Sequence, residues 1–190
     1  EARLRQLAAR ILAAEERGER HGLRIGNHEI APALGTLHRQ LCLRALERLL
    51  VPGANLFDLG TGSGILAIAA AKLGSGPILA IDRDPIAVTA ARANVRRNRL
   101  SRQVTVRAGT LTLGAGPFDM ILGNLLTPVL CELAVPLAQA LIPGGTLISS
   151  GVLVEQAPLV AAALGQAGLT IVEQPQEGDW VALIAQRQPV

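Results

Sequence analysis

The stretch Asn55-Leu56-Phe57-Asp58-Leu59-Gly60-Thr61-Gly62-Ser63-Gly64-Ile65-Leu66-Ala67 constrains this chain more than any other. Leu56, Phe57 and Leu59 read as a buried strand, and Ile65 to Lys72 offers a good helix former at nearly every position. Strand, glycine-rich turn and helix, in that order, make a crevice at the carboxyl end of a parallel strand. Glycines let the backbone approach a ligand closely and adopt φ > 0 where a side chain would clash. Here they stand at Gly60, Gly62 and Gly64, as G-x-G-x-G, with Asp58 two residues before the first. That spacing is one residue off the dinucleotide fingerprint G-x-G-x-x-G. Taken alone, the stretch reads equally well as a turn with three structural glycines.

D-x-G-x-G-x-G resembles the first motif of the class I S-adenosyl-L-methionine (SAM) methyltransferases. The resemblance implies a loop backbone lying along the methionine part of SAM, with the preceding acid orienting its amino group. The rest of the chain is compatible with such an enzyme. Its 190 residues, 49% apolar and 17% charged, suit one globular domain with an ample core. No window of ~18 uncharged apolar residues occurs, so no membrane span is expected. The start, Glu1-Ala2-Arg3-Leu4-Arg5, carries no signal-peptide pattern. Cys42 and Cys131 are far apart in apolar surroundings, which reads as two buried thiols in a reducing cytoplasm. A net charge of +3 permits an acidic or ribonucleoprotein partner without indicating one. Aromatic residues make up only 2%, so stacking platforms for single-stranded nucleic acid are scarce.

Along the chain, residues 1 to 17 read as a helix with Leu4, Leu7, Ala8, Ile11 and Leu12 on one face. Leu23 to Ile30 reads as a hairpin or extended arm with a Gly26-Asn27 turn. Thr36 is expected to cap a helix from Leu37 to Leu50, with Leu41, Leu43, Leu46, Leu49 and Leu50 inward and Pro52-Gly53 ending it. From Ala54 strands and helices alternate, implying a parallel sheet covered on both faces. Strands are expected at Leu56 to Leu59, Ile78 to Ile81, Val104 to Ala108, Phe118 to Leu122 and Thr146 to Ser150. Helices are expected at Pro85 to Arg97, Pro128 to Leu141 and Glu155 to Ala167, the second kinked or split by Pro136. Leu169 to Gln174 and Trp180 to Gln186 follow as two strands with no helix between them, which suggests an antiparallel hairpin ending the sheet. The expected fold is α/β, a Rossmann-like seven-stranded class I methyltransferase sheet, mostly parallel with an antiparallel C-terminal strand, plus N-terminal helices. Residues 1–50 would be a helical segment packing on the core, and 51–190 the SAM-binding domain.

Asp82 ends the second strand, where an acid can accept hydrogen bonds from both ribose hydroxyls of SAM or NAD. Asp84 suits a helix cap, with Pro85 at the first helical position. Arg83 lies between them and is grouped with the cofactor-binding residues, as is Thr61. Thr110, after the third strand, stands where methyltransferases often place a polar residue against the adenine amino group; simple turn chemistry accounts for it equally well. Phe118 to Leu126 is a buried strand finishing in Asn124, which sets an amide at the same sheet edge as the glycine loop. Asn124 is the proposed catalytic residue, beside the reactive methyl. Its plainer role is a turn or cap, although Thr127-Pro128 could supply that cap. Three histidines and two scattered cysteines, without ligand spacing, give no metal site.

Asp58 to Ala70, Gly123-Asn124-Leu125-Leu126, Ser150-Gly151 and Glu177-Gly178-Asp179-Trp180-Val181 together resemble the PrmA family, over roughly residues 41 to 187. The family consists of bacterial ribosomal-protein methyltransferases that trimethylate lysine and N-terminal amines of a large-subunit protein. The resemblance implies Asp58, Gly60, Gly62 and Asp82 at SAM, and Asn124 by the methyl and incoming amine; Gly64 is grouped with the cofactor-binding residues. Two departures accompany it. The family has an N-terminal recruiting domain, for which 190 residues from Glu1 leave no room. Its closing segment carries paired threonines, whereas Leu34 to Leu43 is shorter and keeps only Thr36 and His38. Asn124-Leu125-Leu126 lacks the Pro-Pro-aromatic sequence that stacks a planar amide or base amine, which counts against glutamine and adenine methylation. The alternatives are a methyltransferase for a small molecule or RNA, a SAM-binding module without activity, and, more remotely, an NAD oxidoreductase. The oligomeric state is left open.

Overall fold

A computed structural model describes residues 34–188, with side chains from Arg39 onward, all within one compact unit, Ala33–Val190. The helix expected over residues 1–17, the arm at 23–30 and the side chain of His38 lie outside the described residues. In chain order the elements are α1 Leu34–Leu49, β1 Leu56–Leu59, α2 Ile65–Lys72, β2 Ile78–Asp82, α3 Pro85–Arg97, β3 Val104–Ala108, β4 Phe118–Asn124, α4 Thr127–Glu132 and α5 Ala134–Ala140. Then come β5 Leu141–Leu153, a short 3-10 turn Val154–Gln156, α6 Ala157–Gln166, β6 Leu169–Glu173, β7 Gln176–Glu177 and β8 Trp180–Arg187.

One eight-stranded sheet runs in the order β3-β2-β1-β4-β5-β8-β6, with the two-residue β7 pairing β8 off that path. β1 pairs β2 and β4 in parallel, β2 pairs β3 and β4 pairs β5 likewise, while β8 lies antiparallel between β5 and β6. The expected mostly parallel sheet with an antiparallel C-terminal strand is therefore present. β7 is the addition; a two-residue strand leaves no periodicity to read.

Parallel strands covered on both faces bury successive residues, and every residue of β1 is buried. Phe57 and Leu59 join one core, where Phe57 stacks on Phe118 at 5.0 Å between ring centroids and α4, α5 and α6 contribute Leu130, Leu137 and Val160. The pleat turns Leu56 and Asp58 to the opposite face. There α1 and α2 pack, and α2 is buried at every residue except Lys72. A helix apolar on all sides has to be enclosed, which fits α2's place between sheet and neighbouring helices.

Several local expectations are corrected. α1 begins at Leu34, so Thr36 sits inside the helix and does not cap it. Its buried face is Leu41, Cys42, Ala45 and Leu46, an i, i+1, i+4, i+5 stripe; Leu43, Leu49 and Leu50 are only half-buried. The expected helix 128–141 is split at Leu133, three residues before Pro136, which falls in the first turn of α5 where its missing N–H is tolerated. β5 runs from Leu141, well before Thr146, and the α6 region opens with the 3-10 turn. Leu126, not Thr127, is the N-cap of α4; Thr127 is buried and its hydroxyl bonds Gln156 Oε1 at 2.7 Å. Cys131 is half-buried, while Cys42 is fully enclosed; both thiols are free.

Candidate active site

The strand order reverses direction between β1 and β4, and ligands of open α/β sheets bind outside the carboxyl ends of the strands at such a point. The register sets Leu59 opposite Ile81 and Gly123, and Asn124 opposite Ser150. Thus the ends of β1, β2, β4 and β5 open onto one crevice.

The glycine loop is fastened to β2. Gly60 and Thr61 both donate their N–H to the Ile81 carbonyl at 2.9 Å, and Gly64 N–H bonds the Thr61 carbonyl at 2.8 Å. Gly60 has φ +70°, a left-handed backbone that favours glycine, and a Cβ there would stand 2.6 Å from Leu125 Cδ2, so the tip of Leu125 lies directly over the bare Cα. Gly62 is different. Its φ is +55° and a Cβ would meet nothing within 4 Å, so its bare backbone borders open space. Gly64, at φ +86°, caps α2 and packs on Ala91 of α3.

Asp58 is wholly buried on the α1 side of the sheet. Its Oδ2 accepts from the Thr61 hydroxyl at 2.6 Å and from Ala67 N–H at 3.2 Å, while Oδ1 has no hydrogen-bond partner among the described residues. Burial pushes the carboxyl up to about 6, the bonds from Thr61 and Ala67 oppose that rise, and the Asp82 charge adds slightly to it. Cys42 of α1 lies beside Ser150 and Asp58, and burial pushes its thiol up to about 12, a small neutral group at neutral pH. α1 therefore roofs the end of β1, which sequence reasoning did not anticipate.

Asp82 holds the other side of the loop. One carboxylate oxygen accepts from Gly62 N–H at 2.8 Å and the other from Asp84 N–H at 3.0 Å. Asp84 caps α3 through Ile86 N–H at 2.8 Å with Pro85 following, as the sequence suggests. Arg83 reaches the Thr110 hydroxyl at 3.4 Å, a long contact on the surface beside Asp82. Gly109 N–H bonds the Asp82 carbonyl at 2.8 Å, which brings the turn carrying Thr110 to the same edge.

Asn124 finishes β4, half-buried, and its side-chain amide makes no hydrogen bond among the described residues. The adjoining Leu125 N–H bonds the Ser150 carbonyl at 3.0 Å. A Cβ at Gly151 would lie 2.8 Å from the Leu125 carbonyl oxygen and 3.0 Å from Asn124 Oδ1, and Gly151 has φ +88°. Asp58, Thr61, the three glycines, Asp82, Arg83, Thr110 and Asn124 are thus gathered at one sheet edge. Leu125 was not singled out from sequence, since a leucine after a strand carries no chemical signal.

This sheet order, with its antiparallel strand set between the last two, and a glycine loop at the switch point define the class I methyltransferase fold. A family model described as "Ribosomal protein L11 methyltransferase (PrmA)" matches residues 33–188, and the chain belongs to that family. A ribosomal protein L11 methyltransferase of Chloroflexus aurantiacus is 48% identical over 183 residues, covering 82% of this chain and 56% of the relative. One from Pelotomaculum thermopropionicum is 46% identical over 146 residues, covering 76% and 47%. The chain therefore spans about half the length of these curated relatives. The solved ribosomal protein L11 methylase of Lactobacillus delbrueckii subsp. bulgaricus superposes with a TM-score of 0.75 at 34% identity, covering 80% of this chain and 78% of that one. A methyltransferase from Pyrococcus furiosus, 21% identical, has a TM-score of 0.69 over 96% of this chain and 98% of its own, a likeness of fold alone.

Proposed function

We propose that this chain is the catalytic core of a SAM-dependent methyltransferase that N-methylates amine groups, lysine or N-terminal, of a large-subunit ribosomal protein. The observation that carries the reading is the unspent polar chemistry at the crevice. A buried Asp58 oxygen lacks a donor, Gly62 offers bare backbone to open space, and the Asn124 amide is uncommitted. A buried carboxylate oxygen without a partner is costly, and an ammonium group is a natural donor for it. The residues thus fit an adenosyl amino acid, with Asp58 for its ammonium, the Gly60–Gly64 backbone along its length and Asp82 for sugar hydroxyls. Family membership supports the same choice of cofactor and of a ribosomal protein as substrate.

When bound, SAM supplies an electrophilic methyl on a sulfonium. The chain's task is to align the acceptor at ~3–3.5 Å and exclude water, which can contribute ~7–11 kcal/mol of the barrier. Asn124 Oδ1 accepts an N–H of the incoming neutral amine and leaves its lone pair free to point at the donor. Leu125, lying across Gly60, keeps that end of the crevice apolar. Solvent takes the released proton, so no dedicated base is needed. Free, unpaired thiols suit a cytoplasmic setting.

The test is label transfer from SAM to purified ribosomal protein L11, to RNA and to free amines in parallel. The protein is expected to take up label. Asn124→Ala is expected to hold S-adenosylhomocysteine with unchanged affinity by calorimetry while turnover falls about 10²-fold. Intact turnover in the variant removes Asn124 from its role; label on RNA or free amines alone removes the protein substrate.

A further inference from the structure

Between Pro85 and Gly109 there are six arginines and no acid, twice the whole chain's net +3, so the remainder is net acidic. These six are Arg92, Arg96, Arg97, Arg99, Arg102 and Arg107, carried by α3, the turn after it and β3. All are exposed, and none forms an ion pair among the described residues. Among the described residues β3 is the edge of the sheet, paired only to β2. Arg92 crosses to that edge, where its Nε and Nη2 donate to the Val106 carbonyl at 3.2 and 3.1 Å. Concentrating this much like charge costs self-repulsion that scattering the arginines would avoid.

We propose that the α3–β3 edge docks the phosphate backbone of a structured RNA. Guanidinium groups match phosphate oxygens in bidentate geometry, and every cation here is arginine. Arg102 stands in the turn before β3 and Arg107 near its far end, and Val104 to Arg107 covers about 10 Å of extended chain at ~3.3 Å per residue, enough to span neighbouring phosphates of one strand. Ile86, in the first turn of α3 and about 15 Å along the helix from Arg96 at ~1.5 Å per residue, is the one large apolar side chain α3 exposes; Val88, Ala91 and Val95 are buried, so the helix has no apolar face to insert into a bilayer. An acidic polypeptide would need the apolar anchors that hold protein interfaces together, and the patch has none. Stacking platforms are missing from this edge too: both phenylalanines are buried in the core, Trp180 lies on β8 at the other side of the sheet, and there is no tyrosine. Recognition therefore rests on backbone charge and shape, which favours helical RNA over single strands. Arg107 lies one residue before the end of β3, next to the turn carrying Thr110, so the track runs along the sheet edge toward the crevice. This docking is independent of methyl transfer.

The experiment is fluorescence anisotropy of a labelled RNA hairpin with the 190-residue chain, from 50 to 200 mM KCl, without methyl donor. Arg96→Glu/Arg97→Glu and Arg102→Glu/Arg107→Glu are each expected to weaken binding at least tenfold. The slope of log K against log salt should become shallower by ~0.7–0.9 for each phosphate no longer neutralised. S-adenosylhomocysteine binding and the melting temperature should be unchanged, and the milder Arg→Gln pairs serve if charge reversal impairs folding. No binding at 50 mM, a change within twofold in both pairs, or equal competition by poly-glutamate overturns the proposal, the last reassigning the surface to an acidic polypeptide.

Discussion

Asp58 is where burial and the proposed ligand chemistry meet in one side chain. Folding moves its carboxyl from an ordinary 3.8 up to about 6, because α1 and the sheet exclude water from it. Between those two values the folded chain holds a proton that the unfolded chain has released, so folding stability falls as pH rises through that window and is level above it. A bound ammonium reverses the preference, since it favours the carboxylate. Affinity for S-adenosylhomocysteine should therefore weaken about tenfold per pH unit below ~6 and be flat above. Asp58→Asn should abolish that dependence and bind poorly at every pH, yet fold as well as the parent at pH 8, because the amide removes the buried charge and still accepts from Thr61 and Ala67. Calorimetry from pH 5 to 8 checks both; a pH-independent affinity in the parent protein would show that Asp58 does not face the cofactor's charge. The identity of Asp58 was legible in the D-x-G-x-G-x-G spacing. Its unpartnered oxygen was not, because that depends on Cys42 and Ser150, distant in sequence and close only after folding.

At the scale of elements, α1 is the piece that completes the site. It docks by Leu41, Cys42, Ala45 and Leu46 against β5, β8 and α2, and at its rim Arg44 and Arg48 reach Glu177 at 3.1 Å and Glu173 at 2.5 Å. Both pairs are solvent-exposed and add little; the apolar stripe is what holds the helix. Leu46→Ala removes a fully buried side chain and should cost ~2–5 kcal/mol in chemical denaturation. Cofactor affinity should fall with it, since loosening α1 lets water reach Asp58. A loss of stability with unchanged affinity would separate the roof from the site. Leucine spacing alone suggests a wider buried face than the structure has, because Leu43 flanks the buried stripe and Leu49 and Leu50 fall at the helix end, all three only half-buried. The helix–strand alternation from β1 to β4 was read almost to the residue, each element being punctuated by glycine, proline or a cap. The split expected from Pro136 is present at Leu133, which leaves Pro136 in the first turn of α5, where its missing N–H needs no helical partner.

For the molecule as a whole, the fold leaves an adenosyl compound and a nicotinamide dinucleotide as the two natural occupants of the crevice. Saturation with S-adenosylhomocysteine at ~100 times its Kd adds about 2.7 kcal/mol, which for a domain of this size raises Tm by about 5–10 °C. NADH at equal concentration should leave Tm unchanged; the reverse order would overturn the cofactor assignment. By itself the sequence determined the class of fold and the residues at the crevice, since glycine spacing, β/α alternation and acids at strand ends are local patterns with local causes. Only the tertiary structure decided that α1 seals Asp58 from water, that β8 slips between β5 and β6, and that Leu125 lies over Gly60 beside the Gly151 turn. These are contacts between residues tens of positions apart, fixed by strand order and burial, and no local pattern encodes them.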